Sequence, residues 1–137
     1  MVCNHTMKHP DMTTVSTIEG FKAQVEGLER LAQGELGITV QKLYRPPEGR
    51  FSRRDLEFAS KLGYKTVFWS FAYADWDNNK QPSPDKAMRC IMDNIHNGAV
   101  ILLHPTSATN ATILPQVLSE LKAQGYRFGT LEELCAV

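Results

Sequence analysis

Four clusters of residues carry types and spacings that could do chemistry. In NHTMKHPDM, His5 and His9 stand four residues apart. On a helical turn that spacing puts two imidazoles on one face, where they can share a divalent metal. Two ligands do not complete such a site, because a catalytic zinc takes three protein ligands and a water. In YRPPEG, Arg45 precedes two prolines and is followed by a glycine at 49. Such a rigid loop can hold a guanidinium in the one orientation that grips a carboxylate bidentately. In FAYADW, Asp75 stands beside Trp76: an acid that could orient a histidine, and an indole that could stack on a sugar. In ILLHP, His104 ends an apolar run before a proline, a fit place for a general acid that titrates near neutrality. Each cluster also has a plain reading: chance spacing, a proline turn, core aromatics with a loop acid, a satisfied core histidine.

Positioning these groups requires elements whose ends they occupy. Ile18, Phe21, Val25, Leu28 and Leu31 recur at three- and four-residue steps, predicting a helix over Thr17–Gln33, with Gly34 and Gly37 marking its end. Ile38–Tyr44 reads as a strand stopped by Pro46 and Pro47. Ser52 caps a second helix that runs to Leu62 before Gly63. Lys65–Phe71 is β-branched and aromatic, a buried strand. Ser83 and Pro84 open a third helix that reaches His96. Ala99–Leu103 is a further apolar strand. A fourth helix follows over Ile113–Gln124, and a last strand begins over Tyr126–Phe128. Strands alternating with helices mean parallel βα units, covered on both faces and presenting their chemistry at the strands' C-terminal ends. Arg45, Asp75 and His104 each follow such a strand.

Composition narrows the classes. The chain has 137 residues, enough for one domain with a real core. Fifteen basic residues balance fifteen acidic ones, so no field favours nucleic acid or a membrane surface. Cys3, Cys90 and Cys135 are odd in number and widely spaced, which suits free thiols better than a disulfide framework or a zinc ribbon. No apolar run reaches the roughly 18 residues of a membrane span. The first residues, MVCNHTMKHPDM, contain no apolar core of a signal peptide.

In order, the clusters read H-T-x-x-H, R-P-P-x-G, D-W and L-x-H. This series resembles the polysaccharide deacetylases of the NodB-homology type, a carbohydrate esterase family. The stretches NHTMKHPDM, YRPPEGRFS, FWSFAYADWD, ILLHPTS and GYRFGTLEEL look most like the delta-lactam-biosynthetic de-N-acetylases, which act on N-acetylmuramic acid in peptidoglycan, as in the spore cortex. The resemblance implies an α/β fold that is the C-terminal portion of a distorted (β/α) barrel, in which residues 1–137 form a single domain. It implies a hydrolase of amide bonds on peptidoglycan glycan strands and a secreted or cell-envelope location. It also implies a divalent metal, with zinc well suited to the ligands.

By the same resemblance His5 and His9 are metal ligands, and Arg45 holds a catalytic-base aspartate. Trp76 and Leu102 line the sugar groove. His104 protonates the leaving amine, supported by Asp75. The family's first motif, a strand ending T-F-D-D-G, supplies the base and the third metal ligand, yet no two aspartates are adjacent in this sequence. The expectation is therefore a domain without its N-terminal strands. It is either completed by another segment or an inactive fragment that keeps at most glycan binding. Ala72 stands where the family often carries an acid, which makes Arg54 a second candidate to support His104. Cys3 is a candidate third ligand, and Asp11 a candidate substitute base.

Overall fold

The computed structural model describes residues 1–135. The chain divides into two compact units, residues 1–68 and 69–137.

The first unit is a three-stranded parallel sheet with helices packed on it. Strand β1 (Cys3–Asn4) pairs with β2 (Gln41–Tyr44), which pairs with β3 (Lys65–Thr66). The order is β1-β2-β3, so β2 is central. Helix α1 (Ile18–Leu36) starts at Thr17, whose side chain accepts from the Gly20 N–H. It runs three residues past the predicted end. Gly34 is absorbed into the helix, and Gly37, at φ 64°, supplies the left-handed residue that ends it. Helix α2 (Arg53–Lys61) opens with the capping residue that the sequence announced. Ser52 and Asp55 form a reciprocal capping box. Phe21 and Val25 of α1, Tyr44 of β2, Ala59 of α2, Met12 and Tyr64 form the core. Phe21 meets both Tyr44 and Phe58 edge-on, the geometry aromatic quadrupoles favour.

The second unit packs α3 (Pro84–Asn94) against α4 (Ala108–Ala123). Ala87, Ile91, Ile113, Val117 and Leu121 are its core, with Phe71, Tyr73, Ile101 and Leu103 packed against it. The runs predicted as strands over Lys65–Phe71 and Ala99–Leu103 are mostly extended chain rather than ladder. Within this unit they meet in one parallel bridge, Phe71 to Ile101, flanked by Ser70 N–H to the Val100 carbonyl (2.8 Å) and Leu102 N–H to the Phe71 carbonyl (3.2 Å). Helix α4 begins five residues before the predicted Ile113, because Ser107 caps it by accepting from the Asn110 N–H. Pro115 lies inside α4 rather than near its start. Tyr126–Phe128 is not a strand. The Tyr126 N–H instead returns to the Leu121 carbonyl and closes α4, and a short helix α5 (Leu131–Cys135) follows.

Candidate active site

The histidine pair sits in the loop after β1, not on a helix. The predicted helical face is therefore wrong, and the rings meet by another route. Thr6 and His9 both have positive φ, 69° and 52°, which folds the loop back on itself. Positive φ is costly for a β-branched residue, so something must hold Thr6 there. That something is Asn4, which is 1% exposed. Its Oδ1 accepts from the Thr6 N–H (3.0 Å), and its Nδ2 donates to the Val25 carbonyl (2.8 Å) of α1. Thr6 Oγ1 in turn accepts from the His9 N–H (3.0 Å). The result is two imidazoles with centroids 4.9 Å apart and planes at 80°.

His5 Nδ1 lies 2.7 Å from the Arg45 carbonyl oxygen. A carbonyl can only accept, so Nδ1 carries the proton and the lone pair is on Nε2. Arg45 Nε, at 3.5 Å from the same nitrogen, is too far to reverse that assignment. Fixing a metal-ligating imidazole through its other nitrogen is the usual way its orientation is set. Two imidazoles bound to one zinc at about 2.1 Å put their centroids roughly 5 Å apart, so this pair fits two corners of a divalent site. Among the described residues no three His, Cys, Asp or Glu side chains are grouped to hold a metal, so Cys3 does not complete the set.

Arg45 follows β2 directly, its N–H donating to the Asn4 carbonyl (2.9 Å). Pro46 and Pro47 behind it are fully buried, which makes the loop as rigid as its composition promised. Burial lowers the Arg45 guanidinium from its ordinary value, but an arginine remains a cation at any working pH. Asp11 is engaged elsewhere. It accepts from the Thr13 hydroxyl (2.6 Å), the Thr13 N–H (3.0 Å) and Arg50 (3.0 Å), bonds that hold its carboxyl below the ordinary aspartate range. That makes it a poor substitute base. Arg54 donates to the Thr13 carbonyl (2.8 Å).

In the second unit Asp75 and His104 are joined twice. His104 Nδ1 donates to Asp75 Oδ1 (2.6 Å), and the His104 backbone N–H donates to Oδ2 (2.7 Å). Asp75 is 0% exposed. Burial alone would push its carboxyl up, but the two bonds from His104 and one from Asn110 outweigh that and hold it below its ordinary value. The carboxylate fixes Nδ1 as the protonated nitrogen, so Nε2 is the position that takes up and delivers a proton. The side chain is half-exposed, with 32% of it open to solvent. Asp75 supports His104 directly, although Ala72 stands where the family often has an acid.

Trp76 projects outward at 65% exposure, and Leu102 is partly buried. Sequence reasoning missed Asn4, Thr6, Tyr73, Gln81 and Asn110. Gln81 donates to the carbonyls of Asp75 (2.8 Å) and Asp77 (2.7 Å) and accepts from the Ser107 hydroxyl, tying the loop after Asp75 to the start of α4. The Thr6 role had a signal: a hydroxyl three residues before His9 is placed to cap its N–H. Nothing in the sequence pointed to Asn110, because the start of α4 was read too late.

Comparison with known proteins agrees with the α/β fold. The polysaccharide deacetylase family model matches residues 1–67. The peptidoglycan-N-acetylmuramic acid deacetylase PdaA of Bacillus subtilis is 35% identical over 134 residues, covering 98% of this chain and 51% of its own. A solved structure of PdaA, described as a family 4 carbohydrate esterase, superposes with a TM-score of 0.91 at 34% identity, covering 98% of this chain and 57% of that one. A peptidoglycan-N-acetylglucosamine deacetylase of Bacillus cereus is 32% identical, covering 96% of this chain and 61% of its own. A family 4 pseudoenzyme from Bacillus anthracis has a TM-score of 0.85 at 30% identity, covering 97% of this chain and 45% of that one. The chain thus spans about half the length of the curated relatives it matches. Its residues 1–67 match the polysaccharide deacetylase family, and over nearly its whole length the chain is similar to carbohydrate esterases and peptidoglycan deacetylases.

Proposed function

We propose that the chain provides the metal-binding histidines and the general acid of a peptidoglycan de-N-acetylase acting on N-acetylmuramic acid, at the cell wall. The observation that carries this reading is the pair of hydrogen bonds from His104 to buried Asp75, which leaves Nε2 as the proton-delivering atom. The bound divalent ion, zinc for choice, would polarise the acetamide carbonyl and acidify water. His5 and His9 would hold that ion. Arg45 would grip the carboxylate that takes the water's proton, and that carboxylate comes from a T-F-D-D-G strand. Before the C–N bond breaks His104 carries protons on both ring nitrogens, with the Asp75 carboxylate balancing the charge; it gives the Nε2 proton to the departing amine and is left neutral, with its proton on Nδ1, until solvent protonates Nε2 again. Trp76 would stack on a sugar ring, and Leu102 would line the groove.

The preference for muramic acid rests on the resemblance of NHTMKHPDM and YRPPEGRFS to the delta-lactam subgroup and on the likeness to PdaA. The test is product analysis with the chain joined behind a T-F-D-D-G strand and supplied with zinc. Glycan strands stripped of stem peptides should release acetate from muramic residues, and the product should lose water as the lactam closes. Deacetylated glucosamine with intact muramic acid would overturn the substrate assignment.

A second reading is a chain that binds glycan without turning it over. One observation favours it: a pseudoenzyme is among the similar structures. Under that reading the joined form releases no acetate while Trp76→Ala weakens glycan binding.

A further inference from the structure

The His104–Asp75 pair rests on a third group that the reaction chemistry does not itself require. Asn110 is 7% exposed, in the first turn of α4. Its Nδ2 donates to Asp75 Oδ2 (2.6 Å) and to the His104 carbonyl (3.2 Å). Its Oδ1 accepts from the Tyr73 hydroxyl. An ionised carboxylate can only accept, and a phenol donating to the amide can be met only by the amide oxygen. The amide is therefore locked in one orientation from both sides. Burial, with smaller contributions from Asp75 and Cys90, pushes the Tyr73 phenol up to about 12, so it stays a donor at any working pH. The Asn110 N–H also donates to Ser107 (3.1 Å), which anchors the residue at the helix start.

Each Asp75 oxygen thus has a set task. Oδ1 takes the His104 ring, and Oδ2 takes the His104 backbone and Asn110. Without Asn110 one oxygen loses a donor in a buried site. The carboxylate can then turn, and the ring loses the partner that selects its tautomer. We propose that Asn110, held by Tyr73, is a positioning residue for His104: it fixes the rotation of the Asp75 carboxylate and so keeps the His104 proton on Nδ1. This rests on the deacetylase reading only for its effect on rate.

The test has one readout independent of catalysis. Nitrogen-15 NMR of the His104 ring in the chain should show the Nδ1–H tautomer, and Asn110→Ala should convert it to a tautomer mixture. Ser83→Ala serves as the control: it removes the cap that accepts from the Lys86 N–H at the start of α3 and lowers thermal stability but leaves the tautomer in place. In the form joined to a T-F-D-D-G strand, Asn110→Ala should lower kcat by about 10- to 100-fold with KM nearly unchanged. If Asn110→Ala fails to fold, Tyr73→Phe keeps the bulk and should shift the tautomer in the same direction by less. An unchanged His104 tautomer in the folded Asn110→Ala chain, or in Tyr73→Phe if the first does not fold, overturns the proposal whether or not the joined form is active. A shifted tautomer with no acetate release from the joined wild type would uphold the positioning and sink the deacetylase reading instead.

Discussion

At the residue scale, the chemistry depends on small groups that hold the reactive ones. Asp75 is buried, yet its carboxyl lies below the ordinary aspartate value near 3.8 because its hydrogen bonds outweigh desolvation. A depressed carboxyl stabilises the fold above its unfolded value, and that contribution is lost as pH falls through the folded one. At pH 6, Asp75→Asn should therefore be less stable by about 2 kcal/mol. The gap should close as the pH drops below 3.8, read from urea midpoints across pH. In the joined enzyme the same change should cost roughly 10³- to 10⁴-fold in kcat through the wrong histidine tautomer. Asp75 and His104 were legible as candidates because an acid and a histidine at strand ends are a recognisable pairing. Asn110 and Asn4 were not, because a buried asparagine carries no pattern until its partners are known.

At the element scale, the histidine loop shows how one spacing can have two structural origins. The i, i+4 interval suggested a helix, but the loop reaches the same juxtaposition with two left-handed residues, Thr6 and His9. The Thr6 hydroxyl is the device, since it accepts the His9 N–H. Thr6→Ala should weaken zinc binding about 10- to 100-fold by releasing the His9 backbone, while Thr6→Ser should keep it. Calorimetric titration of zinc distinguishes the two. Cys3→Ser should leave the titration unchanged, because Cys3 joins no three-residue ligand group. Helices were legible from capping residues and periodicity: α2 and α3 begin at the predicted caps, and α1 begins one residue after its predicted start. Strands were less so. An apolar run such as Ala99–Leu103 announces burial, whereas a ladder also needs a neighbour in register, and here only Ile101 forms a bridge.

At the scale of the whole molecule, the parallel sheet of the first unit has β1 and β3 at its edges. The backbone groups of a parallel edge recruit other strands, so the chain should self-associate with concentration, measured by sedimentation, and joining a T-F-D-D-G strand should reduce that association. The family and α/β class were legible because four short motifs kept their order over nearly the whole chain. What the motifs could not convey was how each is braced, since the bracing residues come from α1, α4 and the turns between. The proposed function assigns the acid and two metal ligands to this chain and the base to a further strand. Acetate release from N-acetylmuramic glycan with zinc tests it most directly. The chain alone should release none above background, the joined form should turn over, and His104→Gln in the joined form should abolish most of that turnover. Robust release by the chain alone, or full turnover by His104→Gln, would contradict it.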